Sequence, residues 1–420
     1  MSKSPKLAAA TASNIFQFTL TGLLLFSLTL IGSAAFITHL VGEKPRRSLE
    51  SSFAVNPNDK SQTVHAGPWG DLVVRNIQLE RPAEYLNDEV KAPEPETWSF
   101  AGQTTESVKN LLLQGGLTAD QAATAMAEAR LAGTNGIVLT PSAAFLTGLD
   151  GPVRSKLYHS LAGHGVNLYL DYPYIFPGNS LESIYGSPRL PFDDVALLKK
   201  LVYANGSARQ LSDYQLLLCQ IPTYERRVAL AQVLSRQSAV LAALSIKPDT
   251  DIDKIAAYWG SVPYVRFTDI RPLLESLKAL PEGGTLSLFY LLPKFARDRL
   301  YTFPLPPQAG EPTMDCHWTT FNFSNETPNN RFNDANYAVQ YIRQNFYQIA
   351  APSQYGDILL LMNDQQEIKH SAVFLADDLV FTKNGNNYRQ PWMIMHIPDL
   401  LATYPADPPM HAVYLRGKQN

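Results

Sequence analysis

The sequence predicts an α+β protein: an N-terminal transmembrane anchor, a mostly helical middle region and a last third built on an antiparallel sheet. Three observations give that reading. Residues Ile15 to Val41 contain no Asp, Glu, Lys or Arg, and an apolar run of that length spans a bilayer, which takes about 20 residues. From about 100 to 280 the apolar residues recur with helical spacing. After Pro352, five short apolar segments follow one another closely, as antiparallel strands joined by tight turns do.

Composition narrows the classes. At 420 residues the chain has room for two or three domains. A net charge of −3 offers no basic footprint for nucleic acid. Two cysteines, Cys219 and Cys316, exclude a disulfide framework. Cys219 lies in an apolar helical run, where a cysteine is most often core. Neither a G-x-x-x-x-G-K-[ST] nor a G-x-G-x-x-G motif occurs, and no His, Cys and carboxylate cluster has metal-ligand spacing. No nucleotide, cofactor or metal is therefore expected.

The elements run as follows. Residues 1–44 form the anchor, with Lys3 and Lys6 before the apolar run and Lys44, Arg46 and Arg47 after it, so the flanks leave its orientation open. Ser33-Ala34-Ala35 offers a small-residue cleavage site, but the apolar run continues past it, which favours an uncleaved anchor. Residues 45–100 read as a stalk, with proline-rich polar ends and short strand character at Asp71–Ile77. Residues 101–283 read as a mostly helical domain. Thr118-Ala119-Asp120-Gln121 is a capping box, and helices are expected at 152–161, 194–203, 224–244, 251–259 and 271–280. Asp171–Pro177 is an aromatic loop that either lines a groove or packs on the helices. In residues 284–420 a helix starts at Cys316 and another spans 334–349. Strands are expected at 357–362, 370–375, 379–383, 392–396 and 410–415, with a short helix at 398–404.

The stretch Met314-Asp315-Cys316-His317-Trp318-Thr319 carries the chemistry. An Asp at the N-cap satisfies orphan N–H groups, and a thiol in the first turn feels the positive end of the helix dipole, which favours the thiolate. A cysteine of this kind with a histidine elsewhere in the chain is the minimal pattern for a nucleophile and its general base, and His370 opens a later strand. His317 is expected to be structural, because successive helical side chains diverge by about 100°. Asp357 is expected to hold a strand start, and Asp377 and Asp378 a turn.

The order of Asp315-Cys316 on a helix start, Gly356-Asp357-Ile358-Leu359-Leu360 and His370-Ser371-Ala372-Val373-Phe374-Leu375 resembles the NlpC/P60 group of papain-like cysteine peptidases. The resemblance covers roughly residues 285–420. It implies Cys316 as nucleophile, His370 as general base and an amide bond as substrate, as in peptidoglycan stem peptides. Tyr301 is similar to the tyrosine found ahead of the family's nucleophile, and Trp318 stands beside the nucleophile; both are expected to contact substrate. His317-Trp318 replaces the small Ser-Gly pair usual there. The apolar run makes a single-pass membrane protein the expectation, and the resemblance implies that its bulk lies on the extracytoplasmic side. The alternative class is a silent papain-like domain acting as an envelope binding or scaffold module.

The third catalytic position follows from strand parity. If a three-residue loop pairs Leu375 with Leu379, His370 lies opposite Asn384, with Thr382 next to it on the same face. A two-residue Asp377-Asp378 loop would put Lys383 on that face instead. A lysine has no acceptor for an imidazole N–H, so Asn384 is the expected partner and Thr382 the second choice.

Overall fold

The computed structural model describes residues 62–127, 129–131, 136–164, 167–176, 180–206, 208–262, 267–305, 314–404 and 409–418. The expected anchor lies outside this set. No helix among the described residues is long and apolar enough to cross a membrane.

Strand β1 (Gln62–Gly67) turns through Pro68-Trp69 into β2 (Gly70–Leu79). Gly70 has φ +99°, and a side chain there would strike Ile255. The chain then leaves for residues 80–236 and returns as β3 (Gln237–Ile246). β3 pairs with β2 from Asp71 opposite Ser245 to Leu79 opposite Gln237. β4 (Gly284–Ser287) completes an antiparallel sheet in the order β1-β2-β3-β4. Residues 80–236 are thus an insertion between two paired strands. They are mostly helical, with two small antiparallel sheets, and have their own core around Trp98, Tyr158, Leu217 and Leu230.

Helices α1 (Ile252–Trp259), α2 (Phe267–Lys278), α3 (Lys294–Arg299), α4 (Cys316–Asn322) and α5 (Ala335–Asn345) lead into a second sheet. Its strands are β5 (Phe346–Ile349), β6 (Ile358–Met362), β7 (Ile368–Ala376), β8 (Leu379–Lys383), β9 (Trp392–His396) and β10 (His411–Gly417). They are antiparallel, in the order β5-β10-β6-β7-β8-β9. Helix α6 (Ile397–Thr403) precedes β10. An α+β architecture with antiparallel sheets is what the alternation of segment types predicted.

The run Ile358-Leu359-Leu360-Leu361 is apolar because both faces of β6 are covered. Ile358 and Leu360 share a core with Leu72, Leu244, Trp259 and Phe381, whereas Leu359 and Leu361 pack with Ala239, Ala372 and Met393. Each such side chain contributes roughly 1.5–3 kcal/mol by leaving water. This core crosses the boundary expected at 283/284. The packed unit contains residues 62–79, 237–262 and 267–300 together with the C-terminal sheet, and the observed seams lie at the ends of the insertion. The stretch read as a stalk therefore supplies, from residue 62 on, a hairpin of a packed sheet.

Two helices are shorter than expected. The run 224–244 is helical only over Tyr224–Leu234, and β3 begins at Gln237. Ser235 ends the helix and its hydroxyl accepts the Arg81 N–H at 2.9 Å, where the two ends of the insertion meet. Beyond it Val240, Ala242, Leu244 and Ile246 line one core at period two while Ala239 joins the other. A run apolar in every phase fits either element by periodicity. The helix expected to reach Ile349 stops at Asn345, and Phe346–Ile349 pairs with β10. Asp357 holds a strand start as expected: its carboxylate accepts N–H groups from Ser353 and Gln354 and pairs with Arg416 at 2.7 Å.

Candidate active site

Asp315 caps α4. Its carboxylate accepts the Trp318 N–H at 2.7 Å, and the Thr319 N–H bonds the Asp315 carbonyl. Cys316 and His317 are then the first two helical residues, and their N–H groups have no acceptor within the helix. Helix α4 packs against β7 and β8, which brings the cysteine to the strand carrying His370. Cys316 is 4% exposed and His370 is fully buried.

Burial alone would push the Cys316 thiol up. It is outweighed by His370 and His317, whose charges and hydrogen bonds to the thiol hold it well below its usual range. Burial opposes a charge on His317 too, but the Cys316 charge and hydrogen bond, with Asp315 behind them, carry that imidazole up to about 9. Lys383 is wholly buried, and its Nζ donates to the Gly385 and Asn387 carbonyls at 2.9 and 3.0 Å. Burial brings its ammonium down to about 8, against the pull of Cys316 and Asp315. The thiol thus sits among three basic side chains.

His317 corrects the expectation of a purely structural residue. Ser371 on β7 faces the start of α4, and its hydroxyl donates to the Cys316 carbonyl at 3.3 Å. The same oxygen lies 2.9 Å from His317 Nδ1 and, its proton already committed, accepts from that nitrogen. The serine holds the His317 ring against β7, so the divergence of successive helical side chains does not carry it away from the thiol.

The third position also differs. The β7–β8 turn is the two-residue Asp377-Asp378, with Asp377 at φ +56°. Ala376 pairs with Leu379, but a bulge shifts the register so that Phe374 faces Val380 and Val373 faces Phe381. The face parity is therefore the one a three-residue loop would have given. Thr382 shares the face of His370, and its Oγ1 lies 2.9 Å from Nε2. Asn384, the expected partner, does not reach His370. It follows the last residue of β8 and precedes Gly385 at φ +70°, and its amide donates toward Met395 Sδ at 3.7 Å. The chain turns away one residue too early for Asn384.

Neither expected substrate contact presents itself to a ligand. Trp318 is 2% exposed, its indole N–H donates to Asn330 Oδ1 at 3.1 Å, and its ring packs on Phe295. Tyr301 ties the two sheets together: its N–H donates to the Trp392 carbonyl at 2.7 Å and its hydroxyl to the Val240 carbonyl. A bulky residue after the cysteine therefore fills the core behind α4 and does not narrow a cleft. Cys219, expected in the core, is free and exposed at the end of its helix.

Tyr404 had no sequence signal. Its hydroxyl lies 2.7 Å from His370 Nδ1, and the two rings meet at a tilt of 36° with centroids 4.6 Å apart. The loop after β8 is tied to the insertion: Asn386 donates to the Tyr172 hydroxyl at 3.2 Å and Arg389 to the Tyr172 carbonyl at 2.6 Å. The aromatic loop read at 171–177 thus packs, through Tyr172, on the edge of the site. Among the described residues no group of three His, Cys, Asp or Glu side chains is placed to hold a metal ion. Comparison of the chain with protein-family models, with curated proteins and with solved structures gives no match.

Proposed function

We propose that the chain is a membrane-anchored thiol hydrolase of papain-like, NlpC/P60 type that cleaves an amide bond, with peptidoglycan stem peptides as the substrate class. The observation that carries it is the constellation at the start of α4: a buried thiol, its pKa lowered by His370 and His317, on a helix packed against the strand of His370, whose Nε2 lies 2.9 Å from Thr382 Oγ1. A nucleophile, a base and a polar group on the base are the three roles this chemistry needs.

The Cys316 thiolate attacks the amide carbonyl and forms a C–S bond. The first-turn N–H groups of Cys316 and His317 are the donors available to the oxyanion. The tetrahedral adduct collapses by breaking the C–N bond, and His370 hands its proton to the departing amine. Water then attacks the thioester, gives its proton to His370 and releases the acid and the thiolate. His317 and Lys383 add positive charge around the sulfur. The anchor rests on the apolar run 15–41, and the extracytoplasmic side and the peptidoglycan substrate rest on the resemblance.

The second reading, a silent binding module, draws on the 4% exposure of the thiol. Intact-mass analysis after exposure to synthetic stem peptides and to an activated acyl ester separates the two. A thioester on Cys316 in the wild type, missing in Cys316→Ala, supports the hydrolase. No acylation, together with an unimpaired Cys316→Ala variant, supports the binding module.

A further inference from the structure

Within the insertion, Glu96 is a buried acid without a counter-charge. It is 7% exposed, lies just ahead of the strand Trp98–Ala101, and enters no ion pair among the described residues. The backbone N–H groups of Gln215 and Leu216, at the start of the helix Tyr214–Gln220, face its carboxyl. They leave Oε2 buried with no hydrogen-bond partner. Nearby Asp213 opposes a charge on Glu96, while its own charge is answered by Arg154 and the Tyr158 hydroxyl. Burial first and Asp213 second push the Glu96 carboxyl up to about 8. A buried acceptor that no donor reaches is costly, and more so when it carries charge.

Glu96 lines a cavity of about 190 Å³, several times the roughly 30 Å³ that one water takes in the liquid. The wall holds a second carboxylate, Glu94, and no Lys, Arg or His among the described residues. Gln215 Oε1, in the same wall, is a second buried acceptor without a donor. The Asn167 amide is already spent on the Ser99 backbone, accepting at 2.6 Å and donating at 2.8 Å. Leu168, 39% exposed, and buried Tyr169 supply apolar surface. Two unanswered acceptors, two carboxylates and no cation match a positively charged group with more than one N–H. We propose that the cavity is a binding site for a small primary ammonium, its N–H groups on Glu96 Oε2 and Gln215 Oε1 and its carbon chain against Leu168 and Tyr169. An ammonium brings three donors and the charge that Glu96 lacks, whereas water brings donors alone. The site stands apart from the chemistry assigned to Cys316.

The probe is propylammonium chloride, titrated against the melting temperature of the full chain at pH 8.5, where Glu96 is mostly ionised and the amine still charged. 1-Propanol tests the charge at the same size, tetramethylammonium chloride the N–H groups, and sodium chloride the ionic strength. A ligand this small should saturate in the millimolar range. Propylammonium should raise the melting temperature along a saturating curve, with each control at least about tenfold weaker. Glu96→Gln keeps the size, removes the charge, and should weaken propylammonium about tenfold or more. Leu168→Trp fills the cavity from an exposed position, leaves Glu96 in place, and should abolish the saturating response; it decides the matter if the Gln variant does not fold. A wild-type response no greater than that to sodium chloride overturns the proposal and leaves the cavity to water only. A propylammonium response unchanged in a folded variant puts the amine elsewhere and overturns it too.

Discussion

His370 Nε2 lies 2.9 Å from Thr382 Oγ1, across a face of the hairpin that Asn384 leaves one residue too soon. The orienting contact of the imidazole is therefore a hydroxyl on a fixed strand. Thr382→Val keeps the shape and removes the oxygen, and should slow Cys316 alkylation near neutral pH about tenfold, the worth of one hydrogen bond to a group that must become charged. Asn384→Ala should change the rate less than about twofold, because it removes a contact to Met395 and nothing at His370. Measuring both rates with iodoacetamide, against exposed Cys219 as the reference thiol, reverses the assignment if Asn384→Ala is the slower variant.

His317 should show itself in the pH dependence of stability. Its imidazole titrates at about 9 in the fold against an ordinary value of 6.5. A raised value stabilises the charged form, so the contribution is fully present below about 6.5 and fades as the pH rises through about 9. His317→Gln should remove that falling component, so the difference in melting temperature between wild type and variant should narrow between pH 7 and 9.5. That change lies on top of the opposite slope that the lowered Cys316 and Lys383 groups give. A difference that stays constant would place the charge elsewhere.

Lys383 combines full burial with two carbonyl acceptors, Gly385 and Asn387. Lys383→Met fills the space but leaves both carbonyls unanswered, at about 2 kcal/mol or more. Urea unfolding should report that loss, and Cys316 alkylation should slow at low ionic strength as a positive neighbour disappears. A variant as stable as wild type would mean the two carbonyls find other donors.

Asp357 is 2% exposed, pairs with Arg416 and accepts the N–H groups of Ser353 and Gln354. Asp357→Ala leaves Arg416 and the Ser353 and Gln354 N–H groups without this acceptor at the start of β6, a loss of about 2 kcal/mol for partly buried donors. The loss should appear in chemical unfolding with the thiol kinetics of the surviving folded fraction unchanged, since Asp357 makes no contact with Cys316 or His370 among its hydrogen bonds. Loss of reactivity without loss of stability would give Asp357 a role in the site.

The strands of the last third were legible because each is a short apolar run bounded by turn residues, and the expected and observed limits of 379–383 and 392–396 coincide. The helix start at Cys316 was legible because Asp315 is a local signal. What failed is non-local. The pairing of Leu79 with Gln237 closes over the whole insertion, so nothing near either residue marks β2 and β3 as neighbours. Residues 237–244 read as the end of a helix because alanines fill both phases of the strand. The register of the β7–β8 hairpin came from a bulge after a two-residue turn, a compensation that spacing alone does not reveal. His317 and Tyr404 belong to the site through Ser371 and the end of α6, contacts that only tertiary packing creates.

The most direct test of the central claim is the pH profile of Cys316 alkylation in wild type and His370→Ala. A thiolate held by His370 predicts a rate already on its plateau below pH 7 in wild type, and a profile shifted well toward the ordinary thiol range when the imidazole is removed. A wild-type rate that rises only above pH 8, identical in His370→Ala, would contradict the account and leave Cys316 an ordinary buried thiol.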